Sequence, residues 1–332
     1  MQNAINVITF SIIQQIIPAM KNNLQKHVLL CLIIICSVFS DSSLFAQTER
    51  DAIMMNKSQW CNGASYTHSH WSDYWEGTFK RNNANIGTIT TQSVMYMTNY
   101  GICNSLNVIG GLPYVWTNAS KGTLRGMKGF QDASLYLKWR PFTVKAGIGK
   151  VSVFAVAGVS TPLSNYVFDF LPLSIGLGST NVSGRLAADF QRGIFFTTIS
   201  GAYVRRSNVK LDRTSYYTTE IHNTNEVKMP DAALYNFSIG IRKKYLIAEA
   251  LLNNMTTLGG FDIRKNDMPF PSNKMNNTTL GIHAKYTLPS FSHIELTGDA
   301  NYVIAGRNVG QAATYSAGVY YIFSFHPKKS LK

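Results

Sequence analysis

The stretch Thr279–Leu288, TLGIHAKYTL, alternates without a break. Leu280, Ile282, Ala284, Tyr286 and Leu288 fall on one side of an extended chain. Thr279, Gly281, His283, Lys285 and Thr287 fall on the other. A period of two marks a β-strand whose two faces differ chemically. The runs that follow repeat it. Ile294, Leu296, Ala300, Tyr302 and Ile304 oppose Glu295, Thr297, Asp299 and Asn301. Tyr315, Ala317, Val319, Tyr321, Phe323 and Phe325 oppose Thr314, Ser316, Gly318 and Ser324. Charges on one face and unbroken apolar residues on the other suit a sheet closed on itself, wet inside and apolar outside. In lipid, closure lets strands satisfy every backbone N–H and C=O.

Working back from the C-terminus, similar runs fall at 294–304, 277–288, 245–254, 232–242, 194–206, 181–191, 151–162, 131–140, 106–116, 86–100 and 60–70, besides 312–325. Each is near the ~10 residues that a tilted membrane strand needs. Short links (Gly101–Ser105, Arg192–Gly193, Lys243–Lys244, Pro289–His293 and a longer Pro141–Lys150) alternate with long ones (Ser72–Asn85, Thr117–Phe130, Leu163–Thr180, Ser207–Asp231, Met255–Asn276). Short periplasmic turns and long outer loops have this rhythm. The predicted fold is all-β: a transmembrane antiparallel up-and-down barrel of about 12 strands. Lipid-facing positions include Leu106, Val108, Leu112, Tyr114, Trp116, Leu135, Leu137 and Trp139.

The N-terminus places that barrel. Lys21, Lys26 and His27 precede the apolar run Val28–Phe39, and Leu44-Phe45-Ala46 offers a cut before Gln47. This is the plan of a secretory signal, too short for a membrane span. Residues 1–46 are read as signal peptide, with Met20 as an alternative start. Residues 47–59 are then a short periplasmic segment, 60–325 the barrel and 326–332 a periplasmic tail. The expected location is the bacterial outer membrane, with lipid and the barrel assembly machinery as partners.

Removing the signal leaves +13 of the chain's +14 net charge. The basic residues are scattered rather than clustered, which argues against nucleic acid. Cys61 and Cys103 remain, too few and too far apart for a zinc site. No cofactor or metal is expected. Both cysteines fall near the periplasmic rim of adjacent strands, so a disulfide between them is predicted.

Parity turns Lys138, Arg140, Arg185, Asp189, Arg205, Arg242, Glu249, His283, Lys285, Glu295 and Asp299 inward. Folding the Pro289–His293 turn sets Lys285 opposite Thr297 and His283 opposite Asp299. One reading is a ladder of salt bridges that stiffens the wall. The other is a basic track for small anionic or polar solutes. The favoured function is a channel or transporter for small solutes, not an enzyme. A structural or adhesive barrel is the alternative.

Three resemblances add to this. The ending Ser316-x-Gly318-x-x-Tyr321-x-Phe323 resembles the terminal recognition signal of barrels inserted by the assembly machinery. Residues 106–163, through Leu112-Pro113-Tyr114, Gly129-Phe130-Gln131-Asp132, Lys138 and Gly158-Val159-Ser160-Thr161-Pro162, resemble the outer-membrane family named for the meta-pathway of phenol degradation, related in kind to fatty-acid transporters. Gln131 and Leu163 depart from that pattern. The resemblance implies uptake of hydrophobic or aromatic compounds, whereas the short segment before the first strand argues against an N-terminal hatch in the lumen. His68-Ser69-His70 is comparable with the His and Ser of outer-membrane phospholipases but lacks their Asn, so a lipid hydrolase is the third reading.

Overall fold

The computed structural model describes residues 48–264 and 267–325. The signal at 1–46, the alternative start at Met20 and the tail at 326–332 lie outside the described residues.

Twelve long strands form the wall: β1 (Gln59–Trp71), β2 (Ile89–Cys103), β3 (Leu106–Ala119), β4 (Asp132–Ala146), β5 (Gly149–Pro162), β6 (Asn181–Arg192), β7 (Phe195–Arg206), β8 (Ala232–Arg242), β9 (Leu246–Thr257), β10 (Asn276–Thr287), β11 (Ile294–Arg307) and β12 (Ala313–Ser324). Each pairs antiparallel with its neighbours in sequence. β1 also pairs with β12, from Gln59 opposite Ser324 to His70 opposite Ala313, which closes the barrel. No helix occurs among the described residues.

Alternation inverts the usual arrangement of a soluble protein. Leu135, Leu186, Ile199, Ile239, Ile282 and Val319 are exposed on the outer wall, while Lys138, Arg185, Asp189, Lys285 and Glu295 are buried inside. A wet exterior would make that apolar surface a liability, whereas a lipid exterior matches it. Aromatics gather at both rims. Trp60, Tyr321 and Phe323 pack at centroid distances of 5.8 and 4.5 Å at the end that carries the short turns. Tyr114 packs on Phe130 at 5.2 Å at the end that carries the long loops. These sit where interfacial belts belong.

The expected link Pro141–Lys150 is mostly strand. Register shifts between Trp139 and Phe142, so a bulge absorbs Arg140 and Pro141, and pairing resumes at Phe142 opposite Val153. Proline has no N–H for the ladder and is tolerated at a bulge. Gly147, at φ 56°, then turns the chain after Ala146.

The long loops pack on one another. Val209, Leu211, Val227 and Met229 form a buried cluster, with Phe168 and Phe270 from two other loops against it. Leu173, fully buried, accepts through its carbonyl a 2.6 Å bond from the inward Thr117 hydroxyl, which fastens the 163–180 loop to the wall. Asn308, at φ 53°, donates to Asp262 and to the Lys274 carbonyl at 2.7 Å and accepts from the Gly77 amide at 2.7 Å. Arg307 donates to the same Asp262 carboxylate at 2.8 and 2.6 Å, and together with Asn308 holds it at about 2.

Candidate functional site

Residues 48–55, the described stretch that leads towards β1, lie inside the barrel. Asp51 forms its fulcrum. The carboxylate accepts the Thr48 amide at 2.6 Å and the Ile53 amide at 3.1 Å, which folds Thr48–Ile53 into a compact turn of the kind Asp favours. The same carboxylate receives Lys138 of β4 at 2.7 Å and lies 3.9 Å from Lys285 of β10. Lys138 is completely buried and also donates to the Thr48 carbonyl at 2.8 Å. Burial by itself would raise the Asp51 carboxyl, but the two ammonium groups and the Thr48 amide overcome it and hold the group at about 2.

Apolar contacts complete the anchorage. Ala52 packs with Phe154 and Ala187, and Met55 packs with Cys61, Tyr320 and Ile322. Burying Met55 contributes ~1.5–3 kcal/mol on transfer alone. Where the segment meets the wall, the Ser58 amide donates to the Gly101 carbonyl at 2.8 Å. A Cβ on Gly101 would come within 2.1 Å of the Asn56 carbonyl oxygen, so only glycine lets the chain pass so close.

This placement corrects two expectations. Residues 48–55 are not a free periplasmic segment, and a dozen residues suffice to enter the lumen. Length was the wrong criterion: the turn around Asp51 needs only a few residues, and Ala52-Ile53-Met54-Met55 supplies an apolar run that seeks a buried wall. That run directly behind Asp51 was the available signal.

The other inward residues divide into pairs. Arg242 donates to Asp189 at 2.8 and 2.9 Å and stacks over Phe196 at 3.7 Å. Thr198 donates to Asp189 at 2.7 Å. His283 and Glu249 meet at 2.9 Å, and Ser316 donates to Asp299 at 2.7 Å. His283 stands opposite Asp299, and Lys285 opposite Thr297. Glu295 is fully buried and accepts the Thr287 hydroxyl at 3.3 Å. Arg185 donates to Ser200 at 2.9 Å and to Asn236.

Two arginines depart from expectation. Arg140 sits in the β4 bulge and donates to the Asn104 carbonyl of the β2–β3 turn at 2.9 Å, so it belongs to the rim rather than the lumen. Arg205 shares its side with Ile199 and Tyr203, both exposed on the outer wall, because β7 turns its even-numbered residues inward.

The cysteines are free. Cys61 stands opposite Asn99, four residues short of Cys103 along β2. At ~3.4 Å per residue that separation exceeds the ~7 Å a disulfide spans. The His68-Ser69-His70 cluster is likewise divided by alternation. His68 is opposite the outward Tyr315, whereas Ser69 bonds the Thr314 hydroxyl at 2.8 Å on the inner side. The two imidazoles, 5.6 Å apart, have no hydroxyl partner there, and no set of three metal-binding side chains occurs among the described residues.

Beside the inner segment runs a cavity of about 290 Å³, lined by Arg50 and Asp51 and by β7–β12 residues including Asn236, Glu249, His283, Asp299 and Asn301. A smaller cavity of about 140 Å³ lies nearer the loops, against β4–β8. Glu49 and Arg50 border both.

No family profile and no curated protein matches the chain in sequence. Solved structures do match in fold. An outer membrane channel from Pseudomonas putida F1 superposes with a TM-score of 0.67 at 12% identity, over 84% of this chain and 100% of that one. A NanC porin gives 0.42 at 7% identity, over 77% and 98%. The transport unit of the autotransporter AIDA-I from Escherichia coli gives 0.42 at 11%, over 84% and 93%. The chain has the fold of outer-membrane β-barrel proteins.

Proposed function

We propose that this barrel is an outer-membrane channel for small polar solutes, with the path running beside the inner segment. The observation that carries the reading is the cavity of about 290 Å³ lined by both charge signs and by the amides of Asn236, Asn253 and Asn301. Such a lining exchanges hydrogen bonds with a solute without trapping it. The fold likeness to a protein described as an outer membrane channel agrees with it. The girdles and the terminal strand, with Ser316, Gly318, Tyr321 and Phe323, support insertion through the assembly machinery into outer-membrane lipid.

The charge pattern does not favour anions. With Arg140 at the rim, the wall sets Lys138, Arg185, Arg206, Arg242 and Lys285 against Asp132, Asp189, Glu249, Glu295 and Asp299. The inner segment then adds Glu49 and Asp51 against Arg50. The basic track is neutralised, and neutral or zwitterionic solutes suit the path best. Reversal potentials across a KCl gradient in planar bilayers test this. Permeabilities for the two ions should be close, with any excess towards the cation. Strong anion selectivity would reject the charge argument, and absence of conductance would favour the structural alternative.

A further inference from the structure

Arg185 differs from the lumen cations beside the inner segment. Lys138 and Lys285 share Asp51, Arg242 holds Asp189, and Arg50 is bonded to Glu49 at 3.0 Å. Arg185 is buried, yet the bonds it makes go to neutral acceptors, Ser200 and Asn236. No carboxylate forms an ion pair with it among the described residues. Its two cross-strand neighbours, Val156 and Ala202, are apolar and offer no counter-charge. A buried guanidinium without an anion is costly, and the structure leaves a space where an anion would fit.

That space is the cavity of about 140 Å³ nearer the loops. Arg185, Tyr136, Ser160, Asn181 and Ser183 form its polar side, and Val156, Ala202, Val204 and Leu234 form an aliphatic side. Glu49 also borders it, but that carboxylate is engaged by Arg50, so the pair contributes no net charge. The volume is close to that of the ~150 Å³ apolar cavity that takes up a single ring. We propose that this cavity is a binding site for a short branched monocarboxylate, its carboxylate on the Arg185 guanidinium and its aliphatic body against Val204 and Leu234. The planar guanidinium fork suits a carboxylate, and the aliphatic wall gives a compact hydrocarbon body a surface to cover. The site goes beyond the channel reading: it is a local anion site in the loop-end vestibule, apart from the charge-balanced path, and its test does not require conduction.

The test is calorimetric titration of the refolded barrel in detergent with 3-methylbutanoate and with the neutral isostere 3-methylbutanamide. The carboxylate should bind one per barrel and about tenfold more tightly than the amide. Arg185→Gln should erase that preference, and Val204→Trp, which fills the aliphatic end, should abolish binding of both. Heat-dependent gel migration checks that each variant still forms the barrel. Equal binding of the two compounds, a preference surviving Arg185→Gln, or undiminished binding in Val204→Trp would overturn the site. Binding without conductance would retain the site and reject the channel, whereas conductance without preference would do the reverse.

Discussion

The Asp51 carboxylate meets lysines from two walls of the lumen. Lys138 on β4 and Lys285 on β10 stand six strands apart in a ring of twelve, so this carboxylate ties opposite walls. Asp51→Asn would leave Lys138 buried without its partner, a change that costs ~3–5 kcal/mol in comparable pairs. The inner segment should then leave the wall, and single-channel conductance should rise severalfold over the wild type. Acid should act similarly. The carboxyl is depressed to about 2 in the fold and titrates near ~3.9 when free, so its anchoring is intact above pH ~4. Anchoring is lost as pH falls through 2, and conductance measured from pH 7 downward should stay flat before rising. A rise already complete at pH 6 would contradict this origin. The thiols offer an independent check. Cys61 is 2% exposed, so in the native barrel an aqueous thiol reagent should modify Cys103 alone, and both residues only after unfolding. Finding no free thiol in the denatured, unreduced protein would restore the disulfide.

Among the elements, the strands were legible because lipid and lumen impose opposite demands on alternate residues. A one-residue slip would turn Lys285 towards lipid and Ile282 inward, so the pattern in β10 leaves little freedom of register. The bulge at Arg140-Pro141 was not legible, since a proline reads equally as a turn, and misplacing it carried Arg140 into the lumen. Arg205 failed differently: at the loop-end margin of β7 the apolar contrast that fixes parity fades. The inner segment escaped because no period marks it and its partners Lys138 and Lys285 lie far along the chain. The terminal strand joins local pattern to a larger task. Phe323 is exposed on the outward face at the turn-end belt, packed on Trp60 and Tyr321. Phe323→Ala should therefore lower the amount of barrel inserted in the outer membrane severalfold while the protein refolded in detergent keeps its melting behaviour. Equal losses in both settings would assign Phe323 a packing role only.

For the whole molecule, the charge balance of the lumen could not be read from the wall alone. Parity finds most of the wall's cations and acids, Arg206 and Asp132 apart, but the sign of the field depends on Glu49, Arg50 and Asp51, which belong to no strand. Closure has a consequence in time. The pair that seals the ring joins Gln59 to Ser324, nearly the full length of the described chain apart. Contacts so distant in sequence form late. Until they form, β1 has one free edge and β12 another, and the ring is an open ribbon. The inner segment is tethered directly to β1, so whichever side of the ribbon it occupies when the seam closes is the side it keeps. Insertion is thus expected to be ordered, with the inner segment in position before β12 reaches β1.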